Sequence, residues 1–412
     1  MNQPFRAEKS VLIVAVLISG LASTPLPAAP VHYNQLETIA PEPRSAGDAF
    51  GWTLDIDGDV TVISRVDFTP ADGVDASGVF VYRRIDERWA FEAQLKPRDT
   101  VPVNLGVAAV AVSGDFVVIG TPYGGSNREG RAYLWGRDAA SGRWQQVRVL
   151  RSSRPAPDAA FGGAVDIDGN TLVVGATNEA VSPGVLGAAH IFQRGSTGWR
   201  HQRRVTAVGS SRSIGAFGDA VALDASRLVV GAPFSTADNG REDAGVALVF
   251  ERNAGGSGRW GQVARLQSLQ ADEADACGAS VAVSGSLVAF GCDTAKQVWV
   301  YDAATPNRAP FLIKDPTQDA HGIGRKLDFE GGRLVAGAPA EYPDVPGLVF
   351  AFDCRALPVL TCSLYDTLER SPEDTRFGWE VAIDDAGNIA VAGADPESET
   401  SRLGGVFVLR EP

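Results

Sequence analysis

The sequence predicts an all-β fold, a seven-bladed β-propeller of four-stranded antiparallel blades. Three observations predict it: a phrase that returns seven times, four short strand patterns per return, and chain ends that complete one another. The phrase is clearest in FGGAVDIDGNTLVVGA at 161–176 and FGDAVALDASRLVVGAP at 217–233. Aligned on the glycine after its phenylalanine, the copies fall at Gly51, Gly106, Gly162, Gly218, Gly278, Gly324 and Gly378. The intervals of 55, 56, 56, 60, 46 and 54 residues make a period of the length expected of a propeller blade.

Within each copy an apolar-alternating strand such as AVDID leads into a short polar turn and a second strand such as TLVVGA. A variable loop precedes a third strand, GVFVY at 78–82 or GVALVF at 245–250. A fourth surrounds Trp89, Trp144, Trp199 or Trp260 and ends on Leu95, Leu150, Val205 or Leu266. No helical 3.6-residue pattern intervenes. The dipeptides at the first turn, such as Asp57-Gly58, suggest type I′ hairpins.

The seventh copy stops after GGVFVLREP, without a fourth strand. The segment before the first FG, VHYNQLETIAPEPRSAGDAFG, reads like the fourth strand of other copies and is expected to complete the last blade. Closure matters because an open ring exposes unpaired strand edges. The repeated glycines are expected to allow close strand approach near the axis. Trp52 and Trp379 share one slot in repeats that become neighbours on closure, and core packing is the expected role for both.

These phrases resemble the FG-GAP repeat. The whole chain after its first thirty residues is similar to the propeller of integrin alpha subunits and its bacterial secreted relatives. The match is weakest in copies two and five, where Leu105 and Cys277 replace the phenylalanine. The resemblance implies a surface that binds proteins or glycans, often in adhesion. It also implies calcium in an expanded turn, written D-x-[DN]-x-D-G-x-x-D. The chain departs from that pattern: Asp55, Asp57 and Asp59, or Asp166 and Asp168, flank two-residue turns, and side chains alternating along one strand cannot wrap an ion that wants six to eight oxygens. No cofactor is therefore expected, with calcium kept open only for the loop acids named below.

Composition narrows the function. A formal charge of −13 argues against a nucleic-acid binder, whose affinity rests on clustered Lys and Arg, and the 46 Gly and 24 Pro indicate turns rather than long helices. Residues 1–29 read as a signal peptide: Arg6 and Lys9 precede an apolar run from Val11 to Ala22, with cleavage placed within 22–29, and 30–412 read as the propeller. The mature protein is expected to be a secreted or periplasmic monomer. In such a compartment the cysteines are expected to pair as neighbours, Cys277 with Cys292 and Cys354 with Cys362. A turn at Ser284-Gly285 would set the first pair opposite one another across a hairpin.

The loops joining strands two and three, on the same face as the interblade links, hold fourteen acidic against five basic residues. The turns between strands three and four are richer in arginine, including Arg83, Arg84, Arg137, Arg143, Arg252 and Arg259. The acidic loops are the expected recognition surface, with Asp67, Asp72, Asp75, Tyr123, Asp238, Glu242, Tyr342 and Asp344 as candidate contacts and Asp238, Glu242 and Asp243 as candidate cation ligands. A structural or assembly role, or a glycosidase-like or lyase-like enzyme, are the alternatives. His32, His190, His201 and His321 form no catalytic motif, and His190 is expected to be packed or solvent-facing. An enzyme would show acids or an arginine cluster converging on the axial channel from several blades; a binding module would show an apolar or charged loop face and a plugged channel.

Overall fold

Each repeat folds as a meander because its apolar residues alternate and its turns recur at fixed offsets. The structure is a computed structural model and describes residues 33–40, 48–67, 77–97, 106–182, 185–208, 213–317, 322–340, 345–369, 376–394 and 403–410. Blade 1 runs through Asp48–Asp57, Val60–Asp67, Gly78–Ile85 and Arg88–Leu95, each pairing antiparallel with the next. Blades 2 to 6 repeat that order between Ala109 and Glu369. In blade 3 the segment Ile214–Phe217 adds a parallel pairing to the third strand, Val185–Gly195. Among the described residues there is no helix.

The innermost strand of every blade contacts that of the next, and Val381–Ile383 of blade 7 contacts Asp48–Asp57 of blade 1, so the blades form a closed ring. Blade 7 has the order Val381–Ile383, Ile389–Ala394, Leu403–Arg410 and then the N-terminal strand Asn34–Ile39. That last pairing is antiparallel, with Thr38 opposite Phe407, as the complementary chain ends predicted.

The apolar core lies in sectors between blades. One sector joins Phe50, Ile63 and Phe80 of blade 1 to Ala390, Ala392 and Val406 of blade 7. Trp52 and Trp379 pack against it, ring centroids 5.8 Å apart, in the packing role expected of them. Trp89, Trp199 and Trp260 are likewise buried.

The two glycines of the repeated phrase meet across these sectors. A Cβ on Gly175, in the second strand of blade 3, would lie 2.0 Å from the carbonyl oxygen of Gly218, the FG glycine of blade 4. The corresponding distances are 1.9 Å for Gly231 on Gly278 and 1.8 Å for Gly291 on Gly324. Gly218 also takes φ = +95°, closed to a β-branched residue and strained for any other side chain.

The first hairpin turns differ from expectation by one residue. Asp57 pairs with Val60 and Ser284 with Leu287, so the turns are Gly58-Asp59 and Gly285-Ser286. Only the first residue of each has positive φ, the pattern of a type II′ turn rather than I′. Both cysteine pairings hold: Cys277 bonds Cys292 and Cys354 bonds Cys362. Cys354 and Cys362 face each other in register, 4.1 Å apart at Cα. Cys277 reaches Cys292 differently from the expected ladder pairing. It precedes the strand Ser280–Ser284, and a turn at Gly278 and Ala279 folds it back beside the second strand, where Gly278 N–H donates to the Gly291 carbonyl.

Replacing Gly231 by Ala should lower the unfolding free energy by about 3 kcal/mol, because the Gly278 peptide leaves the methyl no room. Urea titration would measure it; a loss under about 1 kcal/mol would mean the blades can separate there without penalty.

Candidate functional site

The first strand of each blade descends along the axis, and alternation turns every second side chain inward. In blades 1, 3 and 6 the phrase places acids at two successive inward positions: Asp55 and Asp57, Asp166 and Asp168, Asp328 and Glu330. Blade 4 adds Asp224, and blade 7 adds Asp384 and Asp385. Together these nine carboxylates line a cavity of about 480 Å³ at the turn end of the axis, and among the described residues no lysine or arginine lines it.

The carboxylates also join the blades. Asp55 accepts from its neighbour Ile56 N–H at 2.8 Å and, across the boundary, from Val112 N–H of blade 2 at 2.7 Å. Asp166 repeats this with Leu223 of blade 4 at 2.6 Å, and Asp328 with Ile383 of blade 7 at 2.8 Å. One step further out, Asp57 accepts from Gly114 N–H at 2.6 Å and Asp168 from Ala225 N–H at 2.5 Å. Ser113 and Ser284 perform the same service through their hydroxyls, accepting from Gly169 and Gly332 N–H. Asp224 accepts from Gly285 N–H.

So many acids in one enclosed space perturb each other. Burial, then the charges of Asp328 and Asp166, push Asp55 well above the usual carboxylate range, against the pull of the Val112 and Ile56 amides. Burial pushes Asp166 up to about 7 and Asp328 up to about 6, each against two backbone amides. Burial and a hydrogen-bonded Asp385 raise Glu330, and burial raises Asp384.

Sequence reasoning explained Asp55, Asp57, Asp166 and Asp168 by turn chemistry one hairpin at a time. The structure makes them members of a ring. The available signal was the recurrence of the D-x-D phrase at one position of a closed repeat. At the opposite end of the same strands Arg325 lies over the Trp379 ring at 4.2 Å, and Lys326 pairs with Glu380 at 3.2 Å.

The loop candidates fare unevenly. Asp72, Asp75, Tyr342 and Asp344 lie outside the described residues, and Asp67 ends the second strand of blade 1. Tyr123 is exposed, with the Arg128 guanidinium 5.0 Å from its ring centre. Asp238, Glu242 and Asp243 are exposed, and Asp238 is paired with Arg265 at 3.3 Å. Among the described residues no three His, Cys, Asp or Glu side chains gather as a metal-ligand set. Of the fourteen acidic and five basic residues assigned to these loops from the sequence, Glu179 and Arg65 lie instead in the second strands of blades 3 and 1 and are buried, 1% and 3% exposed. The arginines of the opposite face are largely matched locally, Arg83 and Arg137 by Glu92 and Arg84 by Asp59. His190 is fully buried, while His32 and His321 lie outside the described residues.

Strand order, closure and axial acids define a seven-bladed β-propeller sealed by its own N-terminus. Residues 144–192, from the outer strand of blade 2 through the third strand of blade 3, match the FG-GAP repeat. The chain is therefore a propeller that contains an FG-GAP repeat. No curated protein sequence matches it. Among solved structures it is similar to the Pyrococcus horikoshii acylaminoacyl peptidase, at 8% identity and a TM-score of 0.48, over 88% of this chain and 52% of that one, and so spans about half of the peptidase. It is also similar to the β-propeller domain of the Trilobed protease from Pyrococcus furiosus (11% identity, TM-score 0.47, 89% and 94% covered) and to Saccharomyces cerevisiae Sqt1 (14%, 0.44, 93% and 98%).

The raised carboxylates fix a pH dependence. Their folded pKa values exceed the unfolded ones near 4, so their contribution is full below about pH 4 and is lost as pH rises through about 7. The melting temperature should fall by about 5 °C between pH 5 and pH 8. Glu330→Gln with Asp385→Asn should recover part of that fall at pH 8 and change little at pH 5. Differential scanning calorimetry of both proteins tests this; a melting point that rises toward pH 8 would contradict it.

Proposed function

We propose that the protein is a non-catalytic recognition propeller, acting outside the cytoplasm, that binds a protein partner through a basic segment received at the acidic mouth of its axis. One observation carries this reading: nine carboxylates from five blades surround one cavity that no lysine or arginine among the described residues lines. The charge is spread rather than gathered, which favours a ligand that spreads positive charge in turn, such as arginine and lysine side chains. The reading needs no bound metal. Extracytoplasmic action is supported by the two disulfides and by the leader-like first residues. No helix among the described residues is long and apolar enough to cross a membrane.

Convergence of acids on the axis is also what the enzymatic alternative called for, and raised carboxylates are candidate proton donors. The hydrogen bonds favour binding over catalysis. Asp55, Asp166 and Asp328 each hold two backbone N–H groups with their two oxygens, an arrangement suited to fixing blades rather than to delivering a proton. Glu330 of blade 6 and Asp385 of blade 7 bond to one another and, among the described hydrogen bonds, hold no backbone N–H of a neighbouring blade, which makes them the carboxylates best placed to meet a ligand.

The test uses the full mature chain and a fluorescent arginine-rich peptide, read by anisotropy. Binding should weaken at least tenfold in Glu330→Gln/Asp385→Asn, weaken with added salt, and be unchanged in Asp238→Asn/Glu242→Gln. The reverse ranking would move recognition to the loop face. No binding of the peptide to the unaltered protein would refute the proposal.

A further inference from the structure

Blade 3 departs from its six sisters at one core position. The third-strand residue opposite the one preceding the second-strand glycine, a position held by Ser64 in blade 1, is Phe80, Tyr133, Leu248, Trp299, Phe350 or Val406 in the other blades. In blade 3 it is His190, fully buried and stacked edgewise on Phe161 at 5.3 Å. A histidine in a slot otherwise filled by apolar side chains must be held by polar partners.

Those partners fix its tautomer. Glu179, 1% exposed, accepts from the Ser152 hydroxyl at 2.5 Å and also takes the Arg204 guanidinium. Its Oε2 lies 2.9 Å from Nε2 of His190. A carboxylate so surrounded by donors is an acceptor only, so Nε2 carries the proton and Nδ1 presents its lone pair. Nδ1 points at Nε2 of His201, 3.2 Å away. His201 projects from the outer strand, exposed, with its ring against Phe192 at 5.1 Å.

We propose that His190 and His201 form a two-imidazole site for a first-row transition-metal dication. Two neighbouring nitrogens lie about 2.8 Å apart on a square-planar ion and about 3.4 Å apart on a tetrahedral one, and the 3.2 Å found here falls between the two. A carboxylate on the far nitrogen is the orienting contact that metal-bound histidines ordinarily have. Glu179 supplies it, and Ser152 and Arg204 hold Glu179. His201 needs only to tilt outward to admit the ion, whose remaining positions would be filled by water on the solvent side. With imidazole ligands and no thiolate, copper(II) is the tightest of the candidate ions. The site lies between the outer strands of one blade and is independent of the axial cavity.

The test is titration of the full chain with copper(II) chloride, read by calorimetry and by nitrogen hyperfine splitting in electron paramagnetic resonance. One ion per chain with two-nitrogen coordination is expected. His201→Ala, a change at an exposed position, should reduce affinity at least tenfold and remove the two-nitrogen signature. His190→Phe, the residue blades 1 and 6 carry in that slot, should do the same, with thermal melting confirming that both variants fold. Copper bound through oxygen alone, a nitrogen signature that survives in His201→Ala, or no uptake at all would each overturn the proposal.

Discussion

Everything in this molecule depends on how closely one blade can approach the next. The contact that sets the approach is glycine on glycine: the bare Cα of Gly175, Gly231 or Gly291 lies under the peptide carbonyl of Gly218, Gly278 or Gly324. A side chain on either partner would hold the inner strands apart, and the sectors of core between blades would lose the close packing that holds side chains in contact. The phenylalanine before the FG glycine fills the space next to this contact, which is why Phe161 and Phe217 are fully buried. The repeated phrase is thus a description of an interface rather than of a blade.

With the glycines setting the distance, the axis becomes narrow enough for a carboxylate on one blade to reach the backbone of the next. Asp55, Asp166 and Asp328 exploit this, and the same reach crowds buried carboxyl groups together, which raises their affinity for protons. Cohesion and charge are therefore coupled. Removing an acid relieves repulsion but cuts a hydrogen bond between blades, and the two effects oppose one another in any single variant of Asp55, Asp166 or Asp328.

Features confined to one repeat, or to a comparison of repeats, were legible in the sequence. Blade number, strand order, closure by residues 34–39 and both cysteine pairings follow from period and spacing. The turn register slipped by one residue because Asp57-Gly58 and Gly58-Asp59 satisfy the same local preferences, and only the ladder, with Asp57 opposite Val60, separates them. The axial cavity was invisible one hairpin at a time, since convergence of Asp57, Asp168 and Asp224 exists only after the ring closes. Glu179 was counted as a surface acid because its loop is variable, yet it extends the second strand of blade 3 and turns inward to His190. Sequence position says little about burial where a loop folds back on its own blade.

The pairing of Asn34–Ile39 with Leu403–Arg410 joins the earliest part of the propeller to be synthesised with the last. Blades 1 to 6 can form as the ribosome delivers them, while the edge that Asn34–Ile39 will cover does not yet exist. A product that stops before Leu403–Arg410 has an open edge, and a protease that removes Asn34–Ile39 reopens a finished ring. The closing strand acts as a check on completeness, leaving only whole chains without an adhesive seam.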